Sequence, residues 1–288
     1  MTAPLKIGRN GAAAPTQTTK PRDWSLLVSA GALALIAIMA IASVFLQEAA
    51  SKQSILDSLL PPGSPGHLLG TDELGRDVLL FTIAGTGSAI FGPVVIATGS
   101  MAVAIFLGTV AAYLRGGFDW VVGRGVDLLL SLPVMLVAIV VAGIFGAGYW
   151  VTVLMLIALF SPSDIRIIRA GVTEQAPRPY VEAAQMLSLS RWRIMFRHIV
   201  PNIWPLILTN FMLNLAIALV TLSSLSFLGI GVAPGTADWG RQITDGRAIF
   251  SDNPAMLLTP TTLIVVTAMA INFLGDQLGE RVRQWGIQ

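Results

Sequence analysis

The 288-residue chain has no cysteine. Disulfides, cysteine metal sites and thiol catalysis are therefore excluded, although the compartment is left open. Charge is scarce: 12% of the residues are Asp, Glu, Lys or Arg, against about a quarter in a soluble domain. With 54% hydrophobic residues, the composition describes a membrane-embedded protein. Lysine occurs only at Lys6, Lys20 and Lys52, and none follows a glycine. A P-loop ends in Gly-Lys-Ser/Thr so that backbone N–H groups and the lysine hold phosphates, so the usual ATP-hydrolysing loop is missing. Histidine occurs only at His67 and His198, too sparse for a metal cluster. No nucleophile, base and orienting group come together in the sequence as a hydrolase would require.

What the chain does have is a series of apolar runs. Residues 1–24 precede them. They are polar, rich in Ala, Pro, Thr and Gly, carry Lys6, Arg9, Lys20 and Arg22, and read as a disordered cytoplasmic tail. The run over residues 25–46 is too long for a signal-peptide core and long enough to cross a bilayer. Further runs near 81–113, 126–145, 149–168, 199–230 and 256–274 make six spans and an all-α membrane fold. Residues 277–288 form a second tail. The second and fifth runs are long enough to tilt or to project from the hydrocarbon. Pro201, Pro205 and Pro260 predict kinks, and Gly85, Gly87, Gly92, Gly99 and Gly108 permit close helix contact. With the amino terminus inside, only four of the 18 Lys and Arg residues (Lys52, Arg76, Arg241, Arg247) fall on outer segments. That bias places both termini in the cytoplasm.

One inner stretch, residues 179–202, is polar and basic yet compatible with helix. Glu182-Ala183-Ala184 are strong helix formers. Ser188 and Ser190 interrupt the pattern, and Ser190 is placed to cap a second short helix starting at Arg191. Arg193 and Arg197 share a face of that helix, and Pro201 resets the backbone before the next run. Composition alone describes a basic loop held inside by its arginines equally well.

The stretch resembles the Glu-Ala-Ala loop of ABC importer permeases. Glu182, Ala183, Ala184 and Pro201 match that pattern. Ser188 stands where the family has glycine, and Val200 where it has leucine. Three further stretches are similar to the second permease subunit of dipeptide, oligopeptide and nickel ABC importers. They are Gly70-Thr71-Asp72-Glu73-Leu74-Gly75-Arg76-Asp77; Leu225 to Val232 followed by Trp239-Gly240 and Gly246-Arg247; and Asn272-Phe273-Leu274-Gly275-Asp276. The resemblance implies a type I permease fold of six transmembrane helices with a cytoplasmic coupling loop. It implies a coupling role for Glu182, Ala183, Ala184, Ser188, Arg193, Arg197 and Pro201, which would seat in a groove of an ATPase subunit.

The implied partners are a second related permease, two ATP-binding subunits that carry ATP and Mg, an extracytoplasmic substrate-binding protein and the surrounding lipid. No nucleic acid, metal, cofactor or catalysis is expected on this chain. Trp239, Arg241 and Arg247 are the candidates for docking the binding protein. The implied cargo is dipeptides or short oligopeptides, with nickel or another metal complex as the alternative. The 47–67 loop is short for oligopeptide members and leaves the subclass open.

Other polar residues carry two readings each. Asn210 and Asn214 share a face of the fifth span beside Thr209 and Thr221, and Asn272 lies on the sixth. They either line a wet pathway or act as hydrogen-bonded glue between helices. Asp127 and Asp164 read as interface anchors near span ends. Thr71 is expected to cap a short surface helix with acidic residues at its amino end, and Arg76 to pair with Asp72 or Asp77. Trp239 is expected at the membrane interface. An ion-coupled secondary transporter would show ionisable residues deep in its spans and an internal repeat, and neither is visible. A receptor or scaffold would need no coupling loop.

Overall fold

A computed structural model describes residues 23–146 and 148–285. Residues 1–22, the bulk of the expected amino-terminal tail, lie outside the described residues. In lipid every backbone N–H and C=O must find its partner within the protein, and continuous apolar runs meet that demand as helices. Among the described residues, five helices are long and apolar enough to cross a membrane. They are α1 (Asp23–Ala50), α2 (Val78–Leu114), α5 (Tyr149–Gln175), α9 (Trp204–Phe227) and α11 (Ala255–Trp285). Together α3 (Gly116–Leu130) and α4 (Val134–Phe145), bent by 87° at their junction, are long and apolar enough for a sixth crossing if the pair is one broken span.

That bend corrects the expected third span over residues 126–145. Pro133 lacks an N–H and disfavours helix at Leu132, so the run breaks at Ser131-Leu132-Pro133. The fifth run is also not one helix. A π turn at Ile194–Ile199 and the short α8 (Val200–Asn202) precede α9. Pro201 and Pro205 sit in the first turns of α8 and α9, where a missing N–H costs nothing, so they start helices rather than kink them. The expected tail from residue 277 is largely helix, because α11 continues to Trp285. Gly275 allows this: a Cβ there would lie 2.6 Å from the Met212 Cβ, so α11 presses directly on α9 beyond the last apolar turn.

The central element is α2, whose 37 residues make a rod of about 55 Å, longer than the hydrocarbon core. Its glycines are contact points, as their spacing predicts. A Cβ on Gly99 would lie 2.8 Å from Ile157 Cδ1, and one on Gly108 3.1 Å from the Ile165 carbonyl oxygen. The α5 backbone is thereby seated against α2. One core cluster joins α2, α3 and α5 to the 179–202 stretch through Met101, Val126, Ile168, Val172 and Ile199. A second ties α2, α4, α5 and α9 at Ile96, Ala138, Leu156 and Leu222.

At the opposite end from the 179–202 stretch, residues 51–77 and α10 (Trp239–Ala248) form a cap over α2 and α11. No helix forms at Thr71. Its hydroxyl accepts from the Leu60 amide at 2.9 Å and donates to the Asp57 carbonyl. Asp72 accepts from the amides of Leu74 and Arg76, each at 2.9 Å, a local side-chain bonding that competes with helix. Of the two partners open to Arg76, the structure selects Asp72, at 2.6 Å and buried. The guanidinium also donates to the Gly235 carbonyl and lies 4.2 Å from the centre of the Phe81 ring. Asp77 instead caps α2 at the Leu80 amide and meets His67 Nδ1 at 2.8 Å.

Candidate coupling site

The stretch between α5 and α9 folds into two short helices. The first, α6 (Pro179–Met186), has proline in its first turn. Val181 and Ala184 are buried in the core cluster beneath it, while Glu182 and Ala183 face outward. Tyr180 donates to Gln175 Oε1 at 3.0 Å, and burial pushes its phenol above the ordinary value, so it remains a donor. The second begins at α7 (Arg191–Arg193), capped by Ser190 as its position predicts: the hydroxyl accepts from the Arg193 amide at 3.4 Å. Buried Ile194, Met195 and Ile199 root the π turn that follows. Trp192 and Phe196 stack at 5.6 Å, and Phe106 of α2 lies 6.2 Å from Trp192. Arg193, Arg197 and Pro201 are exposed.

The loop is therefore firmly rooted and bare at its tip. Met186 is 84% exposed and Leu187 75%. An apolar pair thus stands exposed at the end of a short helix.

Deeper in the bundle, Asp164 departs from its expected place as an interface anchor. The α5 helix continues well past it to Gln175, so Asp164 is buried between helices rather than near an end. Its two oxygens accept from Asn210 and Asn214, each at 2.7 Å. Asn214 also donates to Ser100 on α2 at 2.9 Å. Both asparagine carboxamides are thus engaged between helices. Asn272 is exposed on α11, and Asp127 is exposed on α3.

In the cap, the expected interfacial position of Trp239 is corrected: the residue is 0% exposed, and its indole N–H donates to the Thr82 carbonyl at 3.0 Å. Burial removes it from any docking surface. Arg241 pairs with Asp245 at 3.1 Å, and Arg247 is exposed with its guanidinium over the Phe227 ring. Asp238 caps α10 through the Arg241 amide and accepts from Ser88. Burial pushes its carboxyl above the usual range, and those hydrogen bonds oppose the shift.

Residues 104–285, which include the whole loop and both of its stems, match the family described as the binding-protein-dependent transport system inner membrane component. The chain belongs to this family. This inner membrane component is 32% identical over 247 residues to the glutathione transport system permease protein GsiD of Pectobacterium atrosepticum, covering 85% of this chain and 82% of that protein. It is 31% identical over 225 residues to the dipeptide transport system permease protein DppC of Haemophilus influenzae, covering 76% of each. Its fold is similar to that of a chain of the MetNI methionine ABC transporter in inward-facing conformations. That likeness has a TM-score of 0.58 at 17% identity and covers 71% of this chain and 97% of the other. The expected all-α, type I ABC importer permease fold is the fold found, and the chain is a multi-pass transport component of the peptide permease group.

Within this inner membrane component, Ser188 has a structural account. The Leu189 amide reaches back to the Ala184 carbonyl, and the Ser188 amide to the Gln185 carbonyl. This pair of bonds ends α6 in a Schellman turn, with Ser188 at the left-handed position, φ +54°. A side chain there costs about 1–2 kcal/mol. Ser188→Gly is therefore expected to stabilise the loop by about 1 kcal/mol, part of the relief being offset by glycine's greater entropy when unfolded. Thermal unfolding in detergent checks this, and a lower midpoint would contradict it. Sequence reasoning missed the Met186-Leu187 tip. The available signal was an apolar pair placed directly before the residue that ends α6.

Proposed function

We propose that the chain is one of two related permease subunits of an ATP-driven importer of dipeptides or short oligopeptides, and that it forms half of the pathway. The observation that carries the coupling is the rooted loop with its bare apolar tip, set between two membrane-spanning stems. Two ATP-binding subunits, which hold ATP and Mg, receive that tip. Glu182 lies on the same outward side and has no ion pair among the described residues. ATP binding draws the subunits together, moves the loop and shifts the population toward the outward-facing state, and hydrolysis returns it. Both termini are cytoplasmic in this reading, in the inner membrane, which puts the cap on the side where a substrate-binding protein delivers cargo. Arg241 and Arg247 remain the docking candidates there. The second permease is expected against α1 and α4, which present large exposed apolar residues, among them Ile38, Phe45, Leu136 and Ile144. Peptide cargo is supported by the named functions of the relatives.

Affinity purification of the tagged chain from its own membranes tests the assignment. The expected result is co-purification of ATP-binding subunits and a second permease, and an associated binding protein that takes up di- or short peptides in a ligand screen. A chain that purifies alone and moves solute down an ion gradient would contradict it.

The exposed Asn272 gives a smaller test. Asn272→Ala is expected to leave thermal stability within about 0.5 kcal/mol, as for an ordinary surface substitution. A larger loss would reveal that the residue is held by a partner in the assembled importer.

A further inference from the structure

The two stems of the loop meet a second time, at one carboxylate. Asp164 on α5 takes one carboxamide from Asn210 and one from Asn214, both on α9, and Asn214 extends the joint to Ser100 on α2. All four side chains are buried. Among the described residues no ion pair reaches Asp164, and hydrogen bonds from Asn210, Asn214 and Ser100 compensate its burial. Opening one of these bonds strands a polar group away from water, and the joint is therefore stable as a complete unit rather than in halves.

Its position matters as much as its chemistry. About 16 Å of helix separates Asp164 from the end of α5 at Gln175, and about 15 Å separates Asn214 from the start of α9 at Trp204. The stems are thus pinned at matching depth from the loop they share. Apolar packing along the rest of the stems is close but non-directional. The hydrogen-bonded joint fixes their register.

We propose that Asp164 is a positioning residue for coupling: it pins α5 to α9 so that the two stems answer the loop as one body and pass its movement to α2. This rests on the function proposed above. The chain has no cysteine, so introduced cysteines report without background. Trp150→Cys and Leu228→Cys, introduced one at a time, place a spin label at an exposed site at the far end of either stem, and each is paired with a single label on the second permease, outside the pinned pair. The importer is assembled with its ATP-binding subunits in lipid nanodiscs, and distances are measured with and without ATP.

In the otherwise native chain ATP shifts the distance distribution. In Asp164→Leu/Asn210→Leu/Asn214→Leu the three side chains that join α5 to α9 are replaced by apolar ones, no carboxylate is stranded, and Ser100 keeps the Ala97 carbonyl as its partner. That variant is expected to assemble and hydrolyse ATP, while the fraction that shifts on ATP falls about tenfold. Asp164→Asn retains an acceptor and a donor, which rotated asparagines can meet, and is expected to keep the shift. The proposal is overturned if the triple variant shifts like the native chain. It is equally overturned if assembly, hydrolysis and shift all fall together, or if Asp164→Asn loses the shift. A native chain that shows no response to ATP would instead defeat the functional reading, and this inference with it.

Discussion

Met186→Asp/Leu187→Asp is expected to abolish ATP-driven uptake and to leave the membrane helices folded. Both side chains stand in solvent in the isolated chain, so the change breaks no internal packing and stability moves by no more than about 0.5 kcal/mol. In the proposed importer the tip seats in an apolar groove of an ATP-binding subunit, and there the same positions would become buried. Each carboxylate would then have to shed its water without a partner. Interface residues of this kind cost about 2 kcal/mol or more when lost, and each 1.4 kcal/mol is about tenfold in affinity. Two together are expected to weaken docking by about a thousandfold. Charge reversal at Glu182, on the exposed side of the same helix, acts in the same direction. The checks are uptake in membranes and recovery of the ATP-binding subunit with the purified chain. Normal uptake by the double variant would refute a docking role for the tip.

Trp239→Ala is the most destabilising single change expected. The indole is enclosed with Ile36, Ala89 and Ile264, so it links α1, α2 and α11 through α10. Truncating such a side chain costs about 3–5 kcal/mol, and the Thr82 carbonyl loses a donor as well. Gln242 donates to Thr82 Oγ1 at 2.7 Å, so the loosened α10 disturbs a second buried bond. Trp239→Phe keeps most of the packing and is expected to cost less than half as much. Thermal unfolding in detergent distinguishes the two. A small effect of Trp239→Ala would mean that the cap is held on by its loop contacts instead.

The apolar runs were legible because burial in lipid leaves helix as the available answer. The loop was legible because a capping serine, a helix-forming Glu-Ala-Ala and a proline speak locally, and Ser190 caps where its position says. The broken third span was missed because its length and apolar content fit a single helix, and kinks were assigned to Pro201, Pro205 and Pro260 but not to Pro133. Thr71 was misread because a capping residue and a loop-building residue look alike until Asp72 takes the backbone amides for itself. Asp164 and Trp239 were misplaced for a common reason. Their environments are made by residues distant in sequence, Asn210 and Asn214 in one case and Thr82 and Ile264 in the other. The same is true of the Asp72–Arg76 pair, whose proximity was readable but whose burial depends on Gly235 and Phe81.

A cysteine at position 187, alone in a chain that otherwise has none, tests the central claim most directly. Membranes holding the Leu187→Cys variant are treated with a maleimide–benzophenone cross-linker and illuminated. The account predicts a covalent adduct with the ATP-binding subunit, formed only from the cytoplasmic side. Labelling of the introduced thiol by an impermeant maleimide in intact cells, with no adduct to an ATP-binding subunit, would contradict it.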